Sequence, residues 1–157
     1  VLILVQATRA SKILEIGTSN GYSTLWLASV LPSCGRIYTV EVNPQKISEA
    51  RLNFEKAGVS AKITQLAGDV SEVLEHLTER VDFIFLDADR KAYLSLAEPL
   101  FNTLEPGGLL VCDNAISHRD ELADFTLWLN KQNNLKSALV PVGKGELLVY
   151  KAEVEVN

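Results

Sequence analysis

Ile13-Leu14-Glu15-Ile16-Gly17-Thr18-Ser19-Asn20-Gly21-Tyr22-Ser23-Thr24 decides the fold. A short apolar run carries an acidic residue near its end, two glycines punctuate the turn that follows, and a helical pattern then begins. Strand, tight turn and helix make a cradle for a ligand at the carboxyl end of a parallel strand. Glu15 sets the sign of that ligand. A pyrophosphate would be repelled by a carboxylate so near the turn, whereas a cationic amine or sulfonium would be held. Gly17 permits the sharp turn, and Gly21 predicts a close approach of the backbone to the ligand.

Outward from this turn, apolar β-rich runs alternate with helical patterns. Strands are predicted at 12–17, 36–41, 61–66, 82–87, 108–113, 135–140 and 146–151, and helices at 22–31, 44–57, 70–79, 91–104 and 121–131. Residues 1–10 read as the end of a helix feeding the first strand. Such alternation predicts a parallel sheet covered on both faces. Asn43 followed by Pro44 starts one helix, and Asp69 with Glu72 starts the next. Pro99 predicts a kink or restart in the 91–104 segment. Pro106-Gly107-Gly108 predicts the turn into the fifth strand. Only residues 141–145 separate the last two strands, which forces an antiparallel hairpin. The expected fold is therefore α/β, a Rossmann-like doubly wound sheet that is mostly parallel, seven-stranded, with an antiparallel C-terminal strand.

Composition bounds the function. The chain has 157 residues, which is one domain with room for a real core. Its net charge of −5 gives no basic footprint for nucleic acid. No apolar run is long enough to span a bilayer and no signal segment is visible, so the expectation is a cytoplasmic protein without a membrane partner. Cys34 and Cys112 sit in no metal-ligand spacing and read as reduced, partly buried thiols. The chain opens at Val1 rather than Met, and the expectation is a domain lacking upstream helices.

Four constellations carry chemistry. The first is Glu15 with its glycine turn. Glu41, about twenty residues past Gly21, stands where an acid takes the hydroxyls of a ribose. Asp69 follows the third strand in Gly68-Asp69-Val70, where it borders an adenine, caps a helix, or does both. Phe83–Asp89 and Leu109–Asn114 are apolar strands ending in carboxylate or amide oxygens. In an open parallel sheet these ends line one edge, so Asp87, Asp113 and Asn114 are placed to converge on a hard divalent cation, Mg²⁺ or else Ca²⁺ or Mn²⁺. For Asp113 and Asn114 alone, a turn or cap is the better reading.

These residues together resemble a known family. The runs Leu14–Thr24, Tyr38–Pro44, Phe85–Tyr93 and Gly107–Ala115 are similar, in order and spacing, to those of class I S-adenosylmethionine-dependent methyltransferases. More narrowly they resemble the divalent-cation-dependent O-methyltransferases, the group of catechol and caffeoyl-CoA O-methyltransferases. The resemblance implies methyl transfer to a hydroxyl of a small catechol-like molecule and leaves a homodimer open. It implies Gly17, Gly21 and Ser23 around the methionine moiety of S-adenosylmethionine, Glu41 on the ribose, and Asp89 at the amino end, with Asp87 beside the cofactor as well. It implies Asp87, Asp113 and Asn114 as metal ligands. The family often has a lysine base three residues after the first metal-binding Asp, but this chain has Arg90, which does not give up a proton. Arg90 then suits an oxyanion, and His118 is the candidate auxiliary base, weighed evenly against a surface histidine. Other readings stay open: methylation of a hydroxylated nucleoside in RNA, a non-catalytic cofactor-binding or dimer-forming relative, and a dehydrogenase, against which the missing GxGxxG counts.

Overall fold

A computed structural model describes residues 1–153. In chain order it has α1 (Leu2–Ala7), β1 (Lys12–Ile16), α2 (Tyr22–Val30), β2 (Arg36–Glu41), α3 (Pro44–Lys56), β3 (Ile63–Ala67), α4 (Val70–His76), β4 (Val81–Leu86), α5 (Tyr93–Thr103), β5 (Leu104–Cys112), α6 (Ala123–Asn130), β6 (Leu135–Val140) and β7 (Glu146–Lys151). The strands form one sheet in the order β3-β2-β1-β4-β5-β7-β6. All pairings from β3 through β5 are parallel, and β7 runs antiparallel to both β5 and β6. The expected architecture is the observed one. No helix among the described residues is long and apolar enough to cross a membrane.

Alternation along the strands builds two cores. Leu14, Ile16, Ile84, Leu86 and Leu110 face one way, where Leu74, Tyr93, Leu96 and Phe125 from α4, α5 and α6 cover them. Ile13, Phe83, Phe85 and Val111 face the other way, beneath Val5, Leu27 and Ala28 of α1 and α2. Period-two geometry places Glu15 on this second face, with Ile13. The chain winds from β1 outward to β3, then returns to lay β4 on the other side of β1. The ends of β1 and β4 thus border the crevice where strand order reverses, the usual ligand position in open α/β sheets.

Local chemistry explains the helix starts. The Asn43 side chain accepts from the backbone N–H of Gln45 and Lys46, with Pro44 in the first turn. Asp69 caps α4, its side chain accepting from the Ser71 N–H at 2.9 Å. Two expectations are corrected here. α5 runs continuously through Pro99, whose missing N–H removes only the bond to the Ser95 carbonyl. The restart expected at Pro99 is absent, and a short 3₁₀ turn at Arg90–Ala92 precedes the helix. Likewise, Pro106-Gly107-Gly108 lies inside β5, since Leu104 already pairs with Val81 and the register jumps before Leu109 meets Phe83. Those residues form a bulge within the strand. Of the two thiols, Cys112 is buried and Cys34 is exposed.

Candidate functional site

A cavity of about 620 Å³ opens at the carboxyl ends of β1, β2 and β4. Its walls bring together Gly17, Glu41, Asp69, Asp87 and Asp89, five residues singled out from the sequence. Glu41 staples the glycine turn to the end of β2. Its Oε2 accepts from the Ser19 N–H at 2.8 Å, and Oε1 accepts from Val42 and Asn43 at 3.0 Å each. Asp69 and Asp89 each wall the cavity and cap a helical turn, Asp89 by accepting from Lys91 N–H at 3.1 Å. The Tyr93 hydroxyl fixes the chain after β4 by accepting from Ala88 N–H at 3.0 Å and donating to the Ala88 carbonyl. Its burial pushes its pKa up.

Glu15 lies elsewhere than expected. It is fully buried and forms no wall of the cavity. Ser23 donates to its Oε1 at 2.6 Å, while Thr24 and Thr39 both donate to Oε2. Thr39 is its partner in the β1–β2 register, and Ser23 and Thr24 open α2 on the same face. Because Thr39 spends its one proton on the carboxylate, Thr18 must donate to Thr39 across their 2.6 Å contact. Glu15 therefore locks the turn from below instead of meeting a cationic ligand. Burial raises its pKa, and the three hydroxyls oppose that shift. Thr18, Thr24 and Thr39 escaped the sequence reading; their signal was hydroxyls recurring among apolar neighbours around one buried acid.

The glycines are corrected as well. A Cβ on Gly21 would strike the Phe54 ring at 2.5 Å, so its close approach is to α3 rather than to a ligand. Gly21 is also the left-handed cap of α2. A Cβ on Gly17 would meet the Asp87 carbonyl oxygen at 2.5 Å, which ties the turn to the end of β4. Ser23 walls not the cavity but a second cleft.

This second cleft, about 460 Å³, lies on the other side of Asp87. Tyr22, Trp26 and Phe85 line it together with Ser23, Asp87 and Asp113. Asp87 is thus shared by both spaces. Its pKa is raised, first by burial and then by the Asp113 charge, with Arg90 opposing. Arg90 is only 12% exposed; its Nη2 sits 3.8 Å from Asp87 Oδ1 and donates to the Asp113 carbonyl at 3.2 Å. Asn114 follows in a left-handed conformation, and its N–H donates to Asp113 Oδ1 at 2.7 Å. Two carboxylates that repel one another, with Asn114 next in the chain, are a donor set suited to a hard cation. No group of three His, Cys, Asp or Glu side chains gathers for a metal among the described residues, so the third donor would be Asn114. His118 walls neither space. Its Nδ1 lies 2.9 Å from the Ser117 hydroxyl in the loop after β5, so the expected base is not at hand in this geometry.

Comparison with known proteins gives a consistent result. A family model described as O-methyltransferase matches residues 1–152. The chain is 36% identical over 118 residues to a catechol O-methyltransferase of Niastella koreensis, covering 73% of this chain and 53% of that protein. It is 32% identical over 123 residues to a catechol O-methyltransferase of Mycobacterium tuberculosis, covering 78% and 56%. The chain thus spans about half the length of these relatives. Among solved structures it is similar to the O-methyltransferase TomG of Streptomyces achromogenes, involved in tomaymycin synthesis and solved with SAM. The TM-score is 0.88 at 26% identity, over 97% of this chain and 78% of that one.

Proposed function

The chain belongs to the O-methyltransferase family, and on that premise we propose that it moves a methyl group from S-adenosylmethionine to a hydroxyl of a small catechol-like molecule. The observation that carries this reading is the pair of spaces meeting at Asp87: a cavity that gathers Glu41, Asp69 and Asp89 on one side and an aromatic cleft on the other. S-adenosylmethionine would lie in the first, with Glu41 on its ribose and Asp89 near its amino end. The acceptor would lie in the second. The acceptor oxygen would attack the methyl carbon, and the breaking bond's electron pair would return to sulfur, leaving S-adenosylhomocysteine. The hydroxyl proton would pass to water, since His118 stands outside the cleft. The protein's share is positioning and electrostatics. Arg90 steadies Asp87 and the end of β5, and its charge favours an oxyanion nearby.

Asp87, Asp113 and Asn114 would hold a divalent cation, Mg²⁺ or else Ca²⁺ or Mn²⁺. Such an ion, when bound, favours the ionised form of an acceptor hydroxyl. Methyl transfer to catechol should therefore disappear after exhaustive chelation and return on adding Mg²⁺. Asp113→Ala should raise the Mg²⁺ concentration needed. Undiminished turnover in chelator would remove the cation from the reading.

Cofactor placement has its own test. S-adenosylhomocysteine should bind in isothermal titration, and NAD should not. Glu41→Ala should weaken the former by about 1.5–3 kcal/mol, the range for hydrogen bonds to a charged group. An unchanged affinity would take Glu41 off the ribose.

A further inference from the structure

We infer that Tyr93 is a positioning residue for methyl transfer: its hydroxyl closes the chain from Ala88 to Tyr93 into a loop that fixes Asp89, at the cofactor's amino end, relative to Asp87, where cavity and cleft meet. This rests on the methyl-transfer reading, which gives the two carboxylates their tasks.

The two acids follow β4 with one residue between them. That residue is Ala88, and the orientation of its peptide groups sets how the acids stand to each other. One phenol claims both groups. The Tyr93 hydroxyl accepts from the Ala88 N–H at 3.0 Å and donates to the Ala88 carbonyl at 3.2 Å. No backbone group answers either one among the described residues. A hydroxyl has one proton to give and lone pairs to accept with, so a single side chain satisfies both.

The other ties on this segment do not fix Asp89. Asp87 N–H donates to the Ile16 carbonyl at 3.0 Å, which anchors the segment only at its start. Asp89 accepts from Lys91 N–H at 3.1 Å, a bond inside the loop that joins it to nothing outside. Arg90 reaches the Asp113 carbonyl at 3.2 Å, but through a long side chain with several rotatable bonds. The Asp87 and Asp89 residues are themselves exposed, so core packing does not hold them. Tyr93 is a rigid post by contrast. It begins α5, is fully buried, and packs edge to face with Phe125 of α6 at 6.0 Å between ring centroids. It also lines the cofactor cavity beside Ala88. A buried hydroxyl left unbonded would be destabilising, and here the Ala88 peptide groups are what it bonds.

The test is calorimetric binding to the whole chain and to Tyr93→Phe, which keeps the ring and removes the two bonds. S-adenosylhomocysteine has the amino-acid end that meets Asp89. The second probe, 5′-methylthioadenosine, shares its adenine, ribose and sulfur but lacks that end, and is measured by competition. Tyr93→Phe should weaken S-adenosylhomocysteine by roughly threefold to thirtyfold, the size of one or two neutral hydrogen bonds, and leave 5′-methylthioadenosine within about twofold. A general loosening of the fold would lower both alike, so an equal loss, or no loss, overturns the inference. Should Tyr93→Phe not fold, hydrogen exchange in the unaltered chain decides. The Ala88 amide should be protected, and its exchange at the rate of an open chain overturns the inference. If S-adenosylhomocysteine does not bind the unaltered chain, the methyl-transfer reading itself fails, and the task of Tyr93 with it.

Discussion

Glu15→Ala should cost about 3–5 kcal/mol of folding stability, because it leaves several buried hydroxyls without their acceptor. The carboxylate accepts from Ser23, Thr24 and Thr39, and through Thr39 it orders Thr18. Thr18, Thr24 and Thr39 are all buried. Each orphaned hydroxyl carries a penalty of roughly 1–3 kcal/mol, less whatever re-pairing the four hydroxyls manage. Urea unfolding would measure the loss, and a change below about 1 kcal/mol would show that the network contributes little.

The same residue gives a pH signature. Its folded-state pKa is raised above the ordinary 4.5, first by burial. The folded protein then holds the proton more tightly than the unfolded chain. Glu15 therefore contributes more stability as pH falls toward the ordinary value, and loses that contribution as pH rises through the raised one. Glu15→Gln removes this titration. The stability difference between the parent chain and Glu15→Gln should shift in the parent's favour on acidification from about pH 8 to pH 5. A difference that stays flat across that window would contradict the raised value.

Where sequence reading succeeded and where it stopped has a common cause. Strands such as Phe83–Leu86 are buried on both faces, so nearly every residue in them is apolar and the run is visible in one dimension. The terminal hairpin was legible because five residues leave no room for a crossover helix. Glu41, Asp69, Asp87 and Asp89 were legible because a polar residue ending an apolar strand in a parallel sheet has one edge to occupy. Glu15 and Gly21 were misread because their partners are distant. Thr39 lies one strand away and Phe54 one helix away, and no local pattern announces that a carboxylate is answered by hydroxyls or a glycine by a ring. Pro106–Gly108 read as a turn because bulge and turn share residue chemistry, and only the β4–β5 register tells them apart.

Gly17→Ala should cost about 2–6 kcal/mol of folding stability, and it should abolish S-adenosylhomocysteine binding. Two terms add. Gly17 has φ +102°, a conformation that costs a side-chain-bearing residue roughly 1–3 kcal/mol. The new methyl would also sit 2.5 Å from the Asp87 carbonyl oxygen, and overpacking of this kind costs roughly another 1–3 kcal/mol. Backbone cannot swing aside as a side-chain end can: Asp87 N–H is tied to the Ile16 carbonyl at 3.0 Å, and Gly17 N–H to the Val40 carbonyl at 3.1 Å. Relief must therefore part the ends of β1 and β4, which displaces Asp87, the residue common to the cavity and the cleft. Gly58→Ala separates the two terms. Its φ is also positive, +69°, but nothing lies within 4 Å of the added methyl, so only the backbone cost of about 1–2 kcal/mol remains. Calorimetric melting of both variants, with titration of S-adenosylhomocysteine into each, makes the comparison. If Gly17→Ala melts no lower than Gly58→Ala and still binds, the close contact with Asp87 does not hold the site together.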